Sequence, residues 1–112
     1  MIAPAATPAT PEAVSSASVS VVVPCFRCSK SVRRAIASVA AQTCRPLEVI
    51  LVDDGSGDDT LATLLDVQRQ YGADWIKVIA LPVNVGASAA RNAGWDAARA
   101  DLVAFLDADD AW

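Results

Sequence analysis

Four short apolar runs, each followed at once by a polar or glycine-bearing segment, limit the architectures open to this chain. The first, Val19-Ser20-Val21-Val22-Val23, is rich in β-branched residues and stops at Pro24, the profile of a buried strand. The others are Leu47 to Val52, Ile76 to Leu81 and Leu102 to Leu106. Between them lie helical spacings. Ser29 to Thr43 carries Val32, Ala35, Ile36, Val39 and Ala40 on one face. Asp59-Thr60 opens a second helix, with Leu61, Leu64, Leu65 and Gln68 on related faces, that ends near Tyr71-Gly72. Ser88 is placed to cap a third, running to about Ala100. Strand and helix alternate throughout, and nothing repeats at a fixed period. The expectation is an α/β fold: an open parallel sheet of about four strands with right-handed crossovers and helices on both faces.

In such sheets ligands sit beyond the carboxyl ends of the strands. The unusual residues of this chain all follow strands: Pro24-Cys25, Asp53-Asp54-Gly55, Asn84-Val85-Gly86 and the acidic run Asp107-Ala108-Asp109-Asp110. Ordinary connections such as Arg45-Pro46 and Ala100-Asp101 precede the strands. Four strand ends therefore aim their chemistry at one rim.

Composition narrows what that chemistry is. With 112 residues there is room for one domain, and 54% hydrophobic against 20% charged residues is a globular balance. A net charge of −4 argues against a polyanion-binding surface and hence against nucleic acid. Histidine is absent, which removes serine–histidine catalysis, imidazole ligands and imidazole acid–base work. Three cysteines, Cys25, Cys28 and Cys44, do not make a disulfide framework. Residues 1–18, with Pro4, Pro8 and Pro11 among Ala, Thr and Ser, read as a flexible leader without the basic and apolar regions of a secretory signal. No run reaches the roughly 18 apolar residues of a membrane span, so the expected location is the cytoplasm, with peripheral membrane association open to a longer form.

The acidic run at the end of the fourth strand has a physical peculiarity. Two carboxylates about 4 Å apart repel by roughly 4 kcal/mol at an effective dielectric near 20, so such a cluster splays into water, takes up protons or binds a cation. Hard oxygen donors suit Mg2+ or Mn2+ bridged to phosphate. Asp53-Asp54-Gly55-Ser56 reads either as a tight turn or as a carboxylate offered to a base N–H or to ribose, with Gly55 and Gly57 allowing close backbone approach. Arg91, near the start of a helix, opposes the macrodipole and wants an anionic partner, either the acidic run or a ligand phosphate. Ala89, Ala90, Ala93 and Gly94 read as small residues packed against the sheet. Cys25-Phe26-Arg27-Cys28 is a C-x-x-C at a strand-to-helix turn, read as two small buried residues with a redox dithiol as the rival. Trp75, Trp95 and Trp112 are read as packing residues.

Taken in order, Ser20 to Phe26, Ser38 to Thr43, Glu48 to Ser56, Asn84-Val85-Gly86 with Ala90 to Gly94, and Phe105 to Asp110 resemble family 2 glycosyltransferases over Val19 to Trp112. The resemblance implies a GT-A fold with strand order 3-2-1-4 and an inverting enzyme that uses a nucleotide-diphosphate sugar, a UDP-sugar first among them. It implies that Pro24 and Cys25 border the nucleoside, that Asp54 contacts the base with Asp53 beside it, and that Arg91 approaches the nucleotide. Asp107 and Asp109 match the family's D-x-D, with Asp110 alongside, handling ribose and a Mg2+ or Mn2+ that bridges the diphosphate. Cys25 stands where Thr or Ser is common, and Arg27 where Asn often does.

Family members continue past the D-x-D with acceptor-binding segments and a general base. The expectation is therefore a donor-binding part, with turnover by these residues alone in doubt, an exposed fourth strand and a tendency to self-associate. The rival class is a non-catalytic, metal-dependent nucleotide-binding module. A phosphoacceptor receiver domain fits poorly: it needs an acidic pair after the first strand, where Pro24-Cys25 stands, and a late lysine, where only Arg99 stands.

Overall fold

The computed structural model describes residues 17–112; the leader expected over residues 1–18 lies outside these, apart from Ala17 and Ser18, which open the first strand. Strands β1 (Ala17–Cys25), β2 (Pro46–Asp54), β3 (Ile76–Leu81) and β4 (Leu102–Phe105) alternate with helices α1 (Val32–Ala40), α2 (Thr60–Tyr71) and α3 (Ala87–Ala97). All pairings are parallel, and the order is β3-β2-β1-β4, as the resemblance implied. Among the described residues no helix is long and apolar enough to cross a membrane.

Side chains on a strand alternate between faces, and this sheet is apolar on both. Val21, Val23, Val49, Leu51, Ile76 and Ala104 point to one face, where Val32, Ala35, Ile36 and Val39 of α1 and Leu64 and Val67 of α2 close over them. Val22, Ile50 and Val52 point to the other, against Ala90 and Ala93 of α3. Leu65 is 38% exposed, so Val67 takes the inward place that the sequence reading gave to it. Gly94 sits so close to β1 that a Cβ there would lie 2.3 Å from Val22 Cγ1, which confirms its reading as a packing residue.

β1 does not stop at Pro24, as expected, but runs through it to Cys25. The reason is the register. Leu106 N–H donates to Val22 O, so Val22 and Pro24 both turn their backbone groups toward β4, whose pairing ends at Val22↔Phe105. The donor that proline lacks falls beyond the last strand pair of that ladder, so no bond between β1 and β4 is lost.

The rim that carries strand starts is fastened by a buried carboxylate. Glu48, 1% exposed on β2, accepts from Ser20 Oγ (2.7 Å) of β1, Arg99 N–H (2.7 Å) and Arg99 Nε (3.0 Å), while Ala100 N–H donates to Ser20 Oγ (3.1 Å). These bonds also explain why α3 ends at Ala97 rather than near Ala100: the amides of Arg99 and Ala100 are committed to Glu48 and Ser20. Burial pushes the Glu48 carboxyl up, but the Arg99 amide, the Ser20 hydroxyl and the Arg99 guanidinium together outweigh it and hold the group below its ordinary value.

Two outcomes follow from this packing. Glu48→Gln is expected to lower stability by about 2 kcal/mol, measured by urea unfolding at neutral pH, because it discards the charge-assisted bonds to Arg99. Because the native carboxyl is depressed, its contribution is present above the unfolded value and lost as pH falls through the native one; the variant should show a shallower loss of stability below about pH 4.5. Gly94→Ala is expected to cost about 2 kcal/mol by overpacking Val22, with an unchanged far-ultraviolet circular dichroism spectrum at low temperature.

Candidate functional site

The carboxyl ends of β1, β2 and β4 and the start of α3 meet at one rim, and two adjacent aspartates there do different work. β2 extends to Asp54, two residues beyond the expected strand, so Asp53 and Asp54 are strand residues pointing to opposite faces. Asp53 turns toward the α1 and α2 side, where its Oδ1 accepts from Ser56 Oγ (2.6 Å) and Ser56 N–H (3.2 Å). It lies 5% exposed beneath the loop and lines none of the clefts described below.

Asp54 turns toward α3. Its Oδ1 accepts from Val85 N–H (2.8 Å) and its Oδ2 from Gly86 N–H (3.0 Å) and Asn84 Nδ2 (3.0 Å). A carboxylate offers about four lone-pair positions, so this grip leaves one on Oδ1 for a ligand N–H. Sequence reading found the strand end but missed the three donors, because nothing local pairs residue 54 with 84–86.

The same grip fixes the entry to α3. Gly86, at φ +98°, precedes the helix and turns its amide back to Asp54, so α3 begins at Ala87 with Gly86 as its cap rather than Ser88. Gly55 lies against this segment: a Cβ there would be 2.3 Å from Asn84 N and Val83 C, and its φ of +62° is left-handed. The sequence reading gave Gly55 a role in ligand approach; the structure gives it the close passage of two loops.

The acidic run is shaped by alternation continued past β4. Leu106 and Ala108 are buried in the core and Asp107 and Asp109 are exposed, while Asp110 N–H closes a turn on Asp107 O (2.9 Å). Trp112 N–H donates to Ser38 Oγ (3.0 Å) of α1 and the indole packs on the core, so the turn is anchored on its far side. Carboxylate oxygens of Asp107, Asp109 and Asp110 lie within 4.8 Å of one another, all exposed. Three hard oxygen donors with open water positions fit Mg2+ or Mn2+ and fit no soft metal.

Arg91 finds the partner its position called for, with Nη2 3.5 Å from Asp107 Oδ1. Both side chains are more than a third exposed, so this pair adds little stability and leaves the guanidinium able to turn to a ligand. Trp95, one turn along α3, stacks obliquely on Phe105, with ring centroids 5.7 Å apart.

Three shallow clefts converge on Asp107. One of about 230 Å³ is lined by Pro24, Cys25, Phe26, Asp54, Asn84, Gly86 and Asp107. A second of about 380 Å³ runs from Phe26, Arg27, Cys28 and Ser31 to Asp107, Ala108 and Asp109. A third of about 320 Å³ lies between Arg91, Phe105, Asp107 and Asp110. The structure thus brings Pro24, Cys25, Asp54, Arg91, Asp107, Asp109 and Asp110 to one surface and leaves Asp53 under it. Phe26, 47% exposed on two of the clefts, was not singled out as a site residue.

Known proteins match this chain in sequence and in fold. The model of the family described as "Glycosyl transferase family 2" matches residues 20–112. An uncharacterized glycosyltransferase of Nostoc sp. (strain PCC 7120) is 43% identical over 94 residues, covering 84% of this chain and 29% of that protein. The crystal structure of S. aureus TarS 1-349 in complex with UDP-GlcNAc superposes with a TM-score of 0.72 at 32% identity, over 83% of this chain and 27% of that one. A mannosyltransferase from Pyrobaculum calidifontis, in complex with GDP-Man and Mn2+, gives a TM-score of 0.78 over 84% of this chain and 28% of its own; at 22% identity it shows the shared fold alone. The chain spans about a third or less of the length of these relatives.

Gly55→Ala is expected to cost more than about 2 kcal/mol, since backbone atoms of Val83 and Asn84 cannot give way as a side chain tip would. Amide hydrogen exchange should show residues 84–86 losing protection in the surviving folded population before the sheet does.

Proposed function

The chain belongs to glycosyl transferase family 2, and on that premise we propose that its strand-end rim binds the nucleotide-diphosphate part of a sugar donor for inverting transfer. The observation that carries the reading is the convergence of three clefts on Asp107, with a carboxylate trio, a movable guanidinium and a gripped carboxylate around it. Asp54 presents its remaining Oδ1 position to a base N–H; being held by three donors, it needs no reorganisation to do so. Pro24 and Cys25 wall the same cleft. Arg91 exchanges Asp107 for a phosphate oxygen.

A diphosphate beside three carboxylates is repelled unless a cation lies between them. Asp107, Asp109 and Asp110 are the residues that would hold Mg2+ or Mn2+. When bound, such an ion neutralises the diphosphate and the charge that develops on it as the sugar leaves. Uridine is the favoured base because the 32% identical neighbour is described with UDP-GlcNAc.

Titration calorimetry with uridine diphosphate and Mn2+ tests this. Binding is expected with the metal and lost on chelation. Asp109→Ala should weaken metal-dependent binding by more than about tenfold, with an unchanged unfolding midpoint because Asp109 is exposed and bonded to nothing in the core. Equal affinity in that variant removes the acidic run from the site, and failure of every nucleoside diphosphate to bind overturns the donor reading. Sugar hydrolysis or transfer, assayed in parallel, separates the transferase from a binding module.

A further inference from the structure

Of the two aspartates that end β2, Asp54 has a place in the donor reading and Asp53 has none: it is 5% exposed and lines none of the three clefts. It nevertheless stands next to their wall. In the register of β1 on β2 its partner is Cys25, the last residue of β1, and the next two residues, Phe26 and Arg27, are cleft residues.

Phe26 and Arg27 have little else to place them. The ladder ends at Cys25↔Asp53, and the chain is held again only at Cys28, whose carbonyl accepts Ser31 N–H (3.0 Å) and Val32 N–H (3.0 Å) at the entry to α1. Phe26 is 47% exposed and belongs to neither apolar cluster of the core. Arg27 takes φ +53°, a left-handed conformation that non-glycine residues rarely adopt and that persists only where the surroundings enforce it.

The enforcing group is Ser56, 2% exposed in the loop after β2. Its Oγ accepts Arg27 N–H (2.9 Å) and its carbonyl accepts Arg27 Nε (3.2 Å), so the backbone and the side chain of one residue are both fastened to it. Asp53 sets the polarity of this clasp. An ionised carboxylate can only accept, so with Ser56 Oγ 2.6 Å from Asp53 Oδ1 the hydroxyl hydrogen is committed there, and the Oγ lone pairs are left for Arg27 N–H. The same Oδ1 accepts Ser56 N–H (3.2 Å), which keeps the loop closed on itself. With the bend held, the Arg27 guanidinium lies 5.1 Å from the centre of the Phe26 ring, and the ring stands in the wall that the first and second clefts share.

We infer that Asp53 and Ser56 are positioning residues for nucleotide binding: neither touches the ligand, and together they hold the Phe26-Arg27 bend so that Phe26 stands at the cleft before a nucleotide arrives. The effect on nucleotide rests on the donor reading above; the clasp itself does not. A wall already in place loses no conformational freedom when the ligand binds, whereas a free bend has to be ordered on binding, which weakens affinity.

Titration calorimetry with uridine diphosphate and Mn2+ tests this, beside amide hydrogen exchange at Arg27 in the ligand-free protein. Ser56→Ala is expected to speed exchange of the Arg27 amide by more than about tenfold and to weaken binding about fivefold. Asp53→Ala, which takes away the acceptor, should weaken binding to a similar degree. Arg27→Gly, at an exposed position outside the core, removes the Nε bond and should weaken binding about threefold. The loss should run through Phe26, so in a Phe26→Ala background neither Ser56→Ala nor Arg27→Gly causes a further one. Glu48→Gln, which lowers stability at the opposite rim, should leave affinity unchanged, because a merely stabilising contact does not alter binding by the folded population. Full affinity in Ser56→Ala and Arg27→Gly overturns the positioning role, as does a loss of the same size with Phe26 already removed, or equally weakened binding in Glu48→Gln. Full affinity in Asp53→Ala overturns the part given to Asp53. If the two buried variants do not fold, Arg27→Gly and its cycle with Phe26→Ala decide the role. If the unaltered protein binds no nucleoside diphosphate, the donor reading and the coupling to nucleotide fail together, while an Arg27 amide that exchanges equally fast with and without the Ser56 hydroxyl overturns the clasp.

Discussion

The Asp54 carboxylate is the constraint from which the functional rim takes its shape. It stands at the last residue of β2, on the face that α3 covers, and collects the amides of Val85 and Gly86 and the side-chain amide of Asn84. Charge-assisted bonds of this kind are about twice as strong as neutral ones, and three of them fix a loop that has no regular structure. With that loop fixed, α3 starts where it does, and Arg91 comes round to face Asp107 beyond the end of β4. The one carboxylate thus positions a cleft wall, a helix and the guanidinium opposite the acidic run.

The opposite rim is built on the same physics with a different purpose. Glu48 is 1% exposed and likewise accepts three hydrogen bonds, but its partners come from the start of β1 and from the end of α3. One helix is therefore pinned at each end by a β2 carboxylate, six residues apart in sequence. The ends differ in what is left over. Glu48 is closed in by the Arg99 side chain, whereas Asp54 and the acidic run face shallow clefts open to a ligand. That difference separates a structural fastening from a site.

Family membership agrees with the placement of these groups. The matched residues include the β2 aspartates, the Asn84 loop and the acidic run, which are the positions the fold brings to one surface. The Phe26-Arg27 bend belongs to the same wall, and Arg27 adopts there a backbone conformation that costs about 1 to 2 kcal/mol.

The four strands, their parallel arrangement and the side of the sheet that carries chemistry were legible in the sequence, because apolar runs, helical spacing and turn residues are local patterns. So were the packing roles of Gly94 and Ala90 and the need of Arg91 for an anion. What local pattern could not decide, and only the family resemblance suggested, was which of two neighbouring aspartates faces the cleft. Asp53 and Asp54 look alike as a dipeptide, and only the extension of β2 through both, with one side chain sent to each face, puts Asp53 on Ser56 and Asp54 at the cleft. The passage of β1 through Pro24, the early end of α3 and the partners of Asp54 were likewise settled by residues some 30 to 80 positions away. Local pattern determines which elements form; hydrogen bonds between distant segments determine where they end and which way their last side chains point.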